Sequence, residues 1–198
     1  YYNYSITEQL YTAEEIGMAG SINSISFNYA GTAAKDFKIT VYMQNVAAED
    51  LSTGISLAAA EIVFDGTFSV TGAGWSTITL DNGFEYDGTS NLLIGIKKDA
   101  PNWYSNGKWY YTAADNMARY TQNDSNAYTT SEVPGTATNQ RPNIQIVIEP
   151  APTSDCPKPE ELTAIGEPTD TEFSFEITGG SGLYNIELKE GSNDWQYY

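Results

Sequence analysis

The heptapeptide Phe37-Lys38-Ile39-Thr40-Val41-Tyr42-Met43 places an apolar side chain at every second position. A strand sends successive side chains to opposite faces, whereas a helix with its period of about 3.6 would scatter these four around its axis. The segment therefore predicts a half-buried strand, with Phe37, Ile39, Val41 and Met43 sharing the buried face. Ile25, Phe27 and Tyr29 repeat the pattern, with Ile22 ahead of them. Runs at Ile62 to Val70, Trp75 to Leu80, Leu92 to Ile96, Lys108 to Thr112, Met117 to Gln122 and Ile144 to Ile148 bring the expectation to eight or nine strands.

Turn-forming residues separate these runs. Ala30-Gly31-Thr32, Asp65-Gly66, Gly72-Ala73-Gly74, Asp81-Asn82-Gly83, Asp87-Gly88 and Asn106-Gly107 all suit positive φ or tight reversal. Thr12 to Ile16 and Ala47 to Leu51 offer at most a turn or two of helix. A parallel α/β fold lacks its crossover helices, and the 15 Tyr, 7 Phe and 4 Trp suit pleated surfaces. The expected fold class is all-β: a jelly-roll-like antiparallel β-sandwich, a short linker, and an incomplete second β-domain.

The domain boundaries follow from proline. The alternating pattern fills residues 1–149, and Pro150, Pro152, Pro157 and Pro159 then stiffen a linker over 150–159. Residues 160–198 suggest three strands, Glu161 to Ala164, Phe173 to Ile177 and Tyr184 to Leu188, with Gly179-Gly180-Ser181-Gly182 between the last two. A conventional sandwich needs about seven strands and about 100 residues. This stretch is thus expected to be the first part of a truncated domain with an exposed sheet edge.

Charge removes several functions. With 9 Lys plus Arg against 26 Asp plus Glu, the net charge is −17, and clustered cations for nucleic acid or an anionic membrane are lacking. No apolar run approaches the roughly 20 residues of a spanning helix, so membrane insertion is not expected. The chain starts at Tyr1 with no charged-then-apolar leader, which reads as a processed or trimmed start.

Catalytic chemistry is equally thin. The sequence has no histidine, which removes the commonest general base and the commonest zinc ligand. Cys156, the single cysteine, stands between Asp155 and Pro157 with no basic neighbour to activate it. Acidic pairs suited to glycoside hydrolysis are too numerous among 26 carboxylates to carry meaning. The chain is expected not to be an enzyme.

Several segments resemble a known group of proteins. Glu8 to Gly17, Gly20 to Phe27, and Trp75 to Asp81 leading into Phe84 to Thr89 resemble the adhesin-like β-sandwich modules of large secreted surface proteins and gingipain-type haemagglutinins of anaerobic Gram-negative bacteria. Cys156-Pro157-Lys158-Pro159 followed by Leu162-Thr163-Ala164 resembles the entry to a fibronectin type III-like or immunoglobulin-like module. The resemblance implies a secreted or cell-surface location and work in adhesion, beside tandem β-modules of the same parent chain. Carbohydrate or host-protein contact, or a place beside a catalytic domain, are the tasks it implies.

Two sets of residues are candidates for contact. The aromatic stretch Trp103-Tyr104-Ser105-Asn106-Gly107-Lys108-Trp109-Tyr110-Tyr111 offers flat rings for sugar faces and polar groups for hydroxyls. Trp103, Tyr104, Asn106, Lys108, Trp109 and Tyr110 are the expected ligand-binding residues; alternation puts Trp109 and Tyr111 on one face and Lys108 and Tyr110 on the other. Burial of Trp109 in the core is the plainer alternative.

Calcium prefers loop carboxylates, so Asp87, Asp99, Asp115 and Asp124 are its candidate ligands, although ordinary turn hydrogen bonding explains them too. Asp81-Asn82 is a further donor pair, and no organic cofactor is expected. Tyr1, Tyr2 and Tyr4 suggest an exposed terminus or a first strand. Asn3-Tyr4-Ser5 and Asn123-Asp124-Ser125 match the N-glycosylation triplet. The leading expectation is a non-catalytic binding or adhesion module whose ligand is a glycan or a surface protein; a structural spacer, or an accessory domain of a larger protease or glycosidase, is the alternative.

Overall fold

The computed structural model describes residues 2–99, 107–131 and 135–150, and the backbone of four short strands at 161–164, 175–178, 187–188 and 196–197. The chain divides into two units, Tyr1–Ala151 and Pro152–Tyr198. In the first, the strands are β1 (Tyr4–Tyr11), β2 (Gly20–Tyr29), β3 (Lys35–Val46), β4 (Glu61–Val70), β5 (Gly74–Tyr86), β6 (Asn91–Asp99), β7 (Tyr111–Asn123), β8 (Thr136–Pro142) and β9 (Ile144–Glu149). They form a six-stranded sheet in the order β4-β3-β6-β1-β7-β8 and a three-stranded sheet in the order β5-β2-β9. Every pairing is antiparallel, so the architecture is an open, all-β, sandwich-like one. In the second unit, β10 (Glu161–Ala164) pairs with β11 (Phe175–Thr178), and β12 (Glu187–Leu188) with β13 (Gln196–Tyr197).

The alternation read at Phe37 to Met43 decides the packing. Ile39, Val41 and Met43 enter the main core between the sheets, with Phe37 packed against it, beside Ile22, Ile25, Phe27 and Phe84 of the smaller sheet. Tyr42 and Val46, on the other face of β3, join Ile6, Leu10, Leu51, Leu57 and Leu93 in a second core. The central strands β3, β6 and β1 of the six-stranded sheet are therefore buried on both sides. Their outer cover is the connection between β3 and β4, which carries Leu51, Ile55 and a 3-10 turn at Leu57–Ala59. Gly95 lets this cover approach, because a Cβ there would lie 2.4 Å from Leu57 Cδ1.

Two strands escape simple periodicity. β1 sends Thr7, Gln9 and Tyr11 inward and Ile6, Glu8 and Leu10 outward, so its more apolar face points away from the main core. β8, with the sequence Thr-Ala-Thr-Asn-Gln-Arg-Pro, is a polar edge strand ending in the one residue type that cannot donate to a further ladder.

Other expectations need correction. Asp65-Gly66 is no turn: it lies inside β4, opposite Thr40 and Ile39, and the Asp65 carboxylate accepts from Thr40 Oγ1 at 3.1 Å. Asp81-Asn82-Gly83 lies inside β5, where a shift of register absorbs the extra residues and pairing with β2 resumes at Phe84. Lys108 to Thr112 is not one strand, because the chain changes sheets there; β7 instead runs from Tyr111 through Met117 to Gln122 as a single strand with an irregularity between Ala113 and Ala118. Ala47 to Leu51 forms no helix.

The other short helix is present as α1 (Ala13–Ile16). Thr12 and Glu15 make a reciprocal capping box, and Gly17 closes the turn at φ 76° in the left-handed region. Arg141 of β8 then anchors it, bonding both Glu15 carboxylate oxygens and the Leu10 carbonyl, with its guanidinium 4.8 Å from the Tyr11 ring centre.

Candidate binding site

The outer face of the three-stranded sheet follows from register. Ser24, Ser26 and Asn28 of β2 point away from the core residues Ile25, Phe27 and Tyr29. Ser24 pairs with Thr79 and Val147, and Ser26 with Thr77 and Gln145. The second row is polar, with Ser26 Oγ and Thr77 Oγ1 bonded at 2.8 Å, while Val147 stands exposed in the first.

The third row ends in rings. Asn28 pairs with Trp75 of β5, and its carbonyl accepts from the Tyr110 amide at 2.9 Å on the other side. A bridge between Tyr29 and Trp109, and a bond of 2.8 Å from the Ala30 amide to the Lys108 carbonyl, fix that register. The Lys108 to Tyr110 segment thus extends the row of β9, to which it is joined by the Asn143 amide donating to the Tyr110 carbonyl at 3.0 Å. Trp75 is 45% exposed and Tyr110 54% exposed, about 10 Å apart as two strand spacings require, with the half-buried Asn28 between them.

A shallow depression of about 380 Å³ adjoins this row, with Trp75, Thr112, Asn143, Arg141 and Glu15 in its lining. Thr112 Oγ1 and Asn143 Oδ1 bond at 2.8 Å. The Glu15 carboxyl is held below its ordinary range, first by the bonds it accepts from Arg141, while the ion pair raises the guanidinium. The depression is therefore ionic and polar on one side and aromatic on the other.

The expected aromatic site is only partly assembled. Trp103, Tyr104 and Asn106 lie outside the described residues. Tyr110 and Lys108 are exposed, and Trp109 turns inward, its ring centre 5.0 Å from Tyr29, 6.0 Å from Phe68 and 6.2 Å from Phe27. Its faces are taken by protein. Tyr111 does not share its face, being 52% exposed on the other sheet. Trp75 was passed over, yet its position one residue out of phase with Ile78 and Leu80 placed it outward.

The carboxylates singled out for calcium are scattered. Asp87 caps its own turn, accepting from the Ser90 hydroxyl at 2.6 Å, the Ser90 amide at 2.7 Å and the Thr89 amide at 2.8 Å, and these bonds, that of the hydroxyl first, draw its pKa down to about 2. Asp99 pairs with Lys97 at 2.7 Å, Asp115 sits exposed in β7, and Asp124 accepts from the Asn3 amide at 3.0 Å. Asp81 accepts from the Asp65 amide. Among the described residues no three His, Cys, Asp or Glu side chains converge as a metal site would require. The two glycosylation triplets face each other, for Asn3 Nδ2 donates to the Asp124 carbonyl and Asn123 Oδ1 caps the following turn. Cys156 lies outside the described residues, among which no helix is long and apolar enough to cross a membrane.

Compared with protein-family models, with curated proteins and with solved structures, the sequence and fold match none.

Proposed function

We propose that the chain is a non-catalytic, extracellular binding module that holds neutral glycans on the outer face of its smaller sheet. The observation that carries this reading is the row Trp75–Asn28–Tyr110, two exposed rings flanking one amide on a sheet face that also carries Thr77, Thr79 and the exposed Val147. Aromatic faces cover the apolar faces of sugar rings, and the Asn28 amide can both donate to and accept from a hydroxyl between them. A net charge of −17 repels sulfated or sialylated chains, which leaves uncharged ones.

The resemblance to adhesin-like modules of secreted bacterial surface proteins supports the location and the adhesive role. In this reading the first unit is jelly-roll-like, and the second is the beginning of an immunoglobulin-like module in a tandem array. The division of the chain into two units also favours the alternative of a spacer that displays some other domain.

A glycan array with the whole chain tests the choice. Binding to neutral glycans that Trp75→Ala and Tyr110→Ala each weaken about tenfold or more supports the platform, that being the scale of an aromatic anchor. Binding to no glycan, or binding indifferent to both changes, overturns it in favour of a spacer or a protein-binding surface.

A further inference from the structure

Glu8 is the only acidic side chain among the described residues that is fully buried. It faces outward from β1, beneath the connection between β3 and β4. Its Oε2 accepts from the Ile55 amide of that connection at 3.1 Å, and its Oε1 has no hydrogen-bond partner. Register sets Arg119 of β7 directly opposite. Side chains so placed have Cβ atoms about 4.5 to 5.5 Å apart, close enough for a carboxylate and a guanidinium to pair. In this structure the guanidinium instead holds the cover: its Nη1 donates to the Leu51 and Ser52 carbonyls at 2.9 and 2.8 Å, and its Nη2 to the Gly135 carbonyl at 3.0 Å.

One cation therefore stands between two claimants, the backbone of the cover and the carboxyl beneath it. A neutral carboxyl leaves Arg119 to the carbonyls, and its own unpaired oxygen costs less than a buried charge would. A buried carboxylate needs a charged partner, and Arg119 supplies one by changing rotamer without moving its strand. The Leu51 and Ser52 carbonyls then lose their donor and must turn to water, which lifts the residues that cover Leu10 and Leu93.

We infer that Glu8 and Arg119 form a pH-operated latch on the connection between β3 and β4: with Glu8 protonated the connection stays pinned over the outer core, and with Glu8 ionised it is released from Leu51 to Ile55. The latch is independent of the proposed glycan platform, which lies on the smaller sheet. The other titratable or charged groups on the elements around Glu8 are Tyr42 of β3, Lys97 of β6 paired with Asp99, Tyr128 of the segment after β7, and the exposed Glu49 and Asp50 of the connection. Arg119 is the one whose charge bears on the Glu8 carboxyl. Burial raises this carboxyl from near 4.5 to about 7, so opening releases a proton: acid holds the latch closed, and release grows as pH rises across that interval.

NMR of the whole chain between about pH 5 and pH 8 tests this. Protection of the Leu51 and Ile55 amides, corrected for the pH dependence of free-amide exchange, should fall about tenfold or more, against an upper limit of about 300-fold for a carboxyl raised that far. Over the same range, cross-relaxation between the Arg119 guanidinium and Leu51 should give way to cross-relaxation with the Glu8 side chain. Glu8→Gln keeps an acceptor for Ile55 and removes the charge, so its protection should stay high and level across the range, with thermal melts confirming that it folds. Level protection in the wild type, a fall that persists in Glu8→Gln, or Arg119 remaining on Leu51 at the upper pH would each overturn the latch.

Discussion

On its inner face the six-stranded sheet meets another sheet, and on its outer face it meets a loop. The inner contact is large and aromatic, and it is made by elements that carry their own hydrogen-bond ladders. The outer contact is smaller, and its cover has no ladder. Polar pins take that role: the Leu51 amide donates to the Asn116 carbonyl at 2.6 Å, Asn91 Nδ2 to the Ala48 carbonyl at 2.8 Å, and Arg119 to the carbonyls of Leu51, Ser52 and Gly135. A sheet can be held by area, whereas a loop must also have its backbone groups answered one by one.

Glu8 shows where this arrangement is strained. Tyr42, Gly95, Glu8 and Arg119 stand side by side across four strands, beneath the loop. One Glu8 oxygen accepts from the Ile55 amide at 3.1 Å, and the other is buried with no partner. Burial pushes its pKa up to about 7, against the smaller opposing effects of the Ile55 bond and of Arg119. Arg119 is engaged with the loop carbonyls, so its charge only moderates the shift.

The contrast between the faces can be broken by paired substitutions. Ile25→Ala, in the fully buried centre of the inner core, should cost about 3 to 4 kcal/mol in urea unfolding, and Leu51→Ala under the loop about 2 to 3 kcal/mol. An equal or larger loss at Leu51 would make the loop as much a part of the core as any strand. Arg119→Met should cost about 2 kcal/mol by stranding carbonyls, and native-state hydrogen exchange should quicken first at the Leu51 and Ile55 amides. Uniform quickening in both sheets would remove the distinction.

The smallest expected effect has the opposite sign. A carboxyl whose folded pKa is raised binds its proton more tightly when folded, so its contribution is present below the unfolded value near 4.5 and is lost as pH rises to about 7. Glu8→Gln keeps an acceptor for Ile55 without the charge. It should stabilise the protein by about 1 to 2 kcal/mol at pH 8, a figure discounted for solvent screening, and the gain should shrink towards zero at pH 5. A gain independent of pH would mean that Glu8 is not ionising within the fold.

Legibility in the sequence tracked how one-sided each segment is. β3 was readable because Phe37 to Met43 alternate cleanly, and β2 because Ile25, Phe27 and Tyr29 do. β1 was not, since both its faces are covered and its buried positions include Glu8 and Gln9. The glycine-containing pairs Asp65-Gly66 and Asn82-Gly83 suggested reversals that neighbouring strands override by pairing on both sides of them. Of the proposed binding face, Tyr110 was legible as an aromatic and Trp75 only through its phase; Asn28 was invisible, because register alone puts it between them.

Periodicity and composition by themselves determined an all-β chain with a break in the proline-rich stretch, since side-chain direction along a strand is local geometry. Which strands neighbour each other, which face of β1 meets the larger core, and which way Trp109 turns were decided only by tertiary structure. Those outcomes depend on contacts between residues distant in the chain, where cross-strand register and the volume left between the sheets select among locally equivalent arrangements.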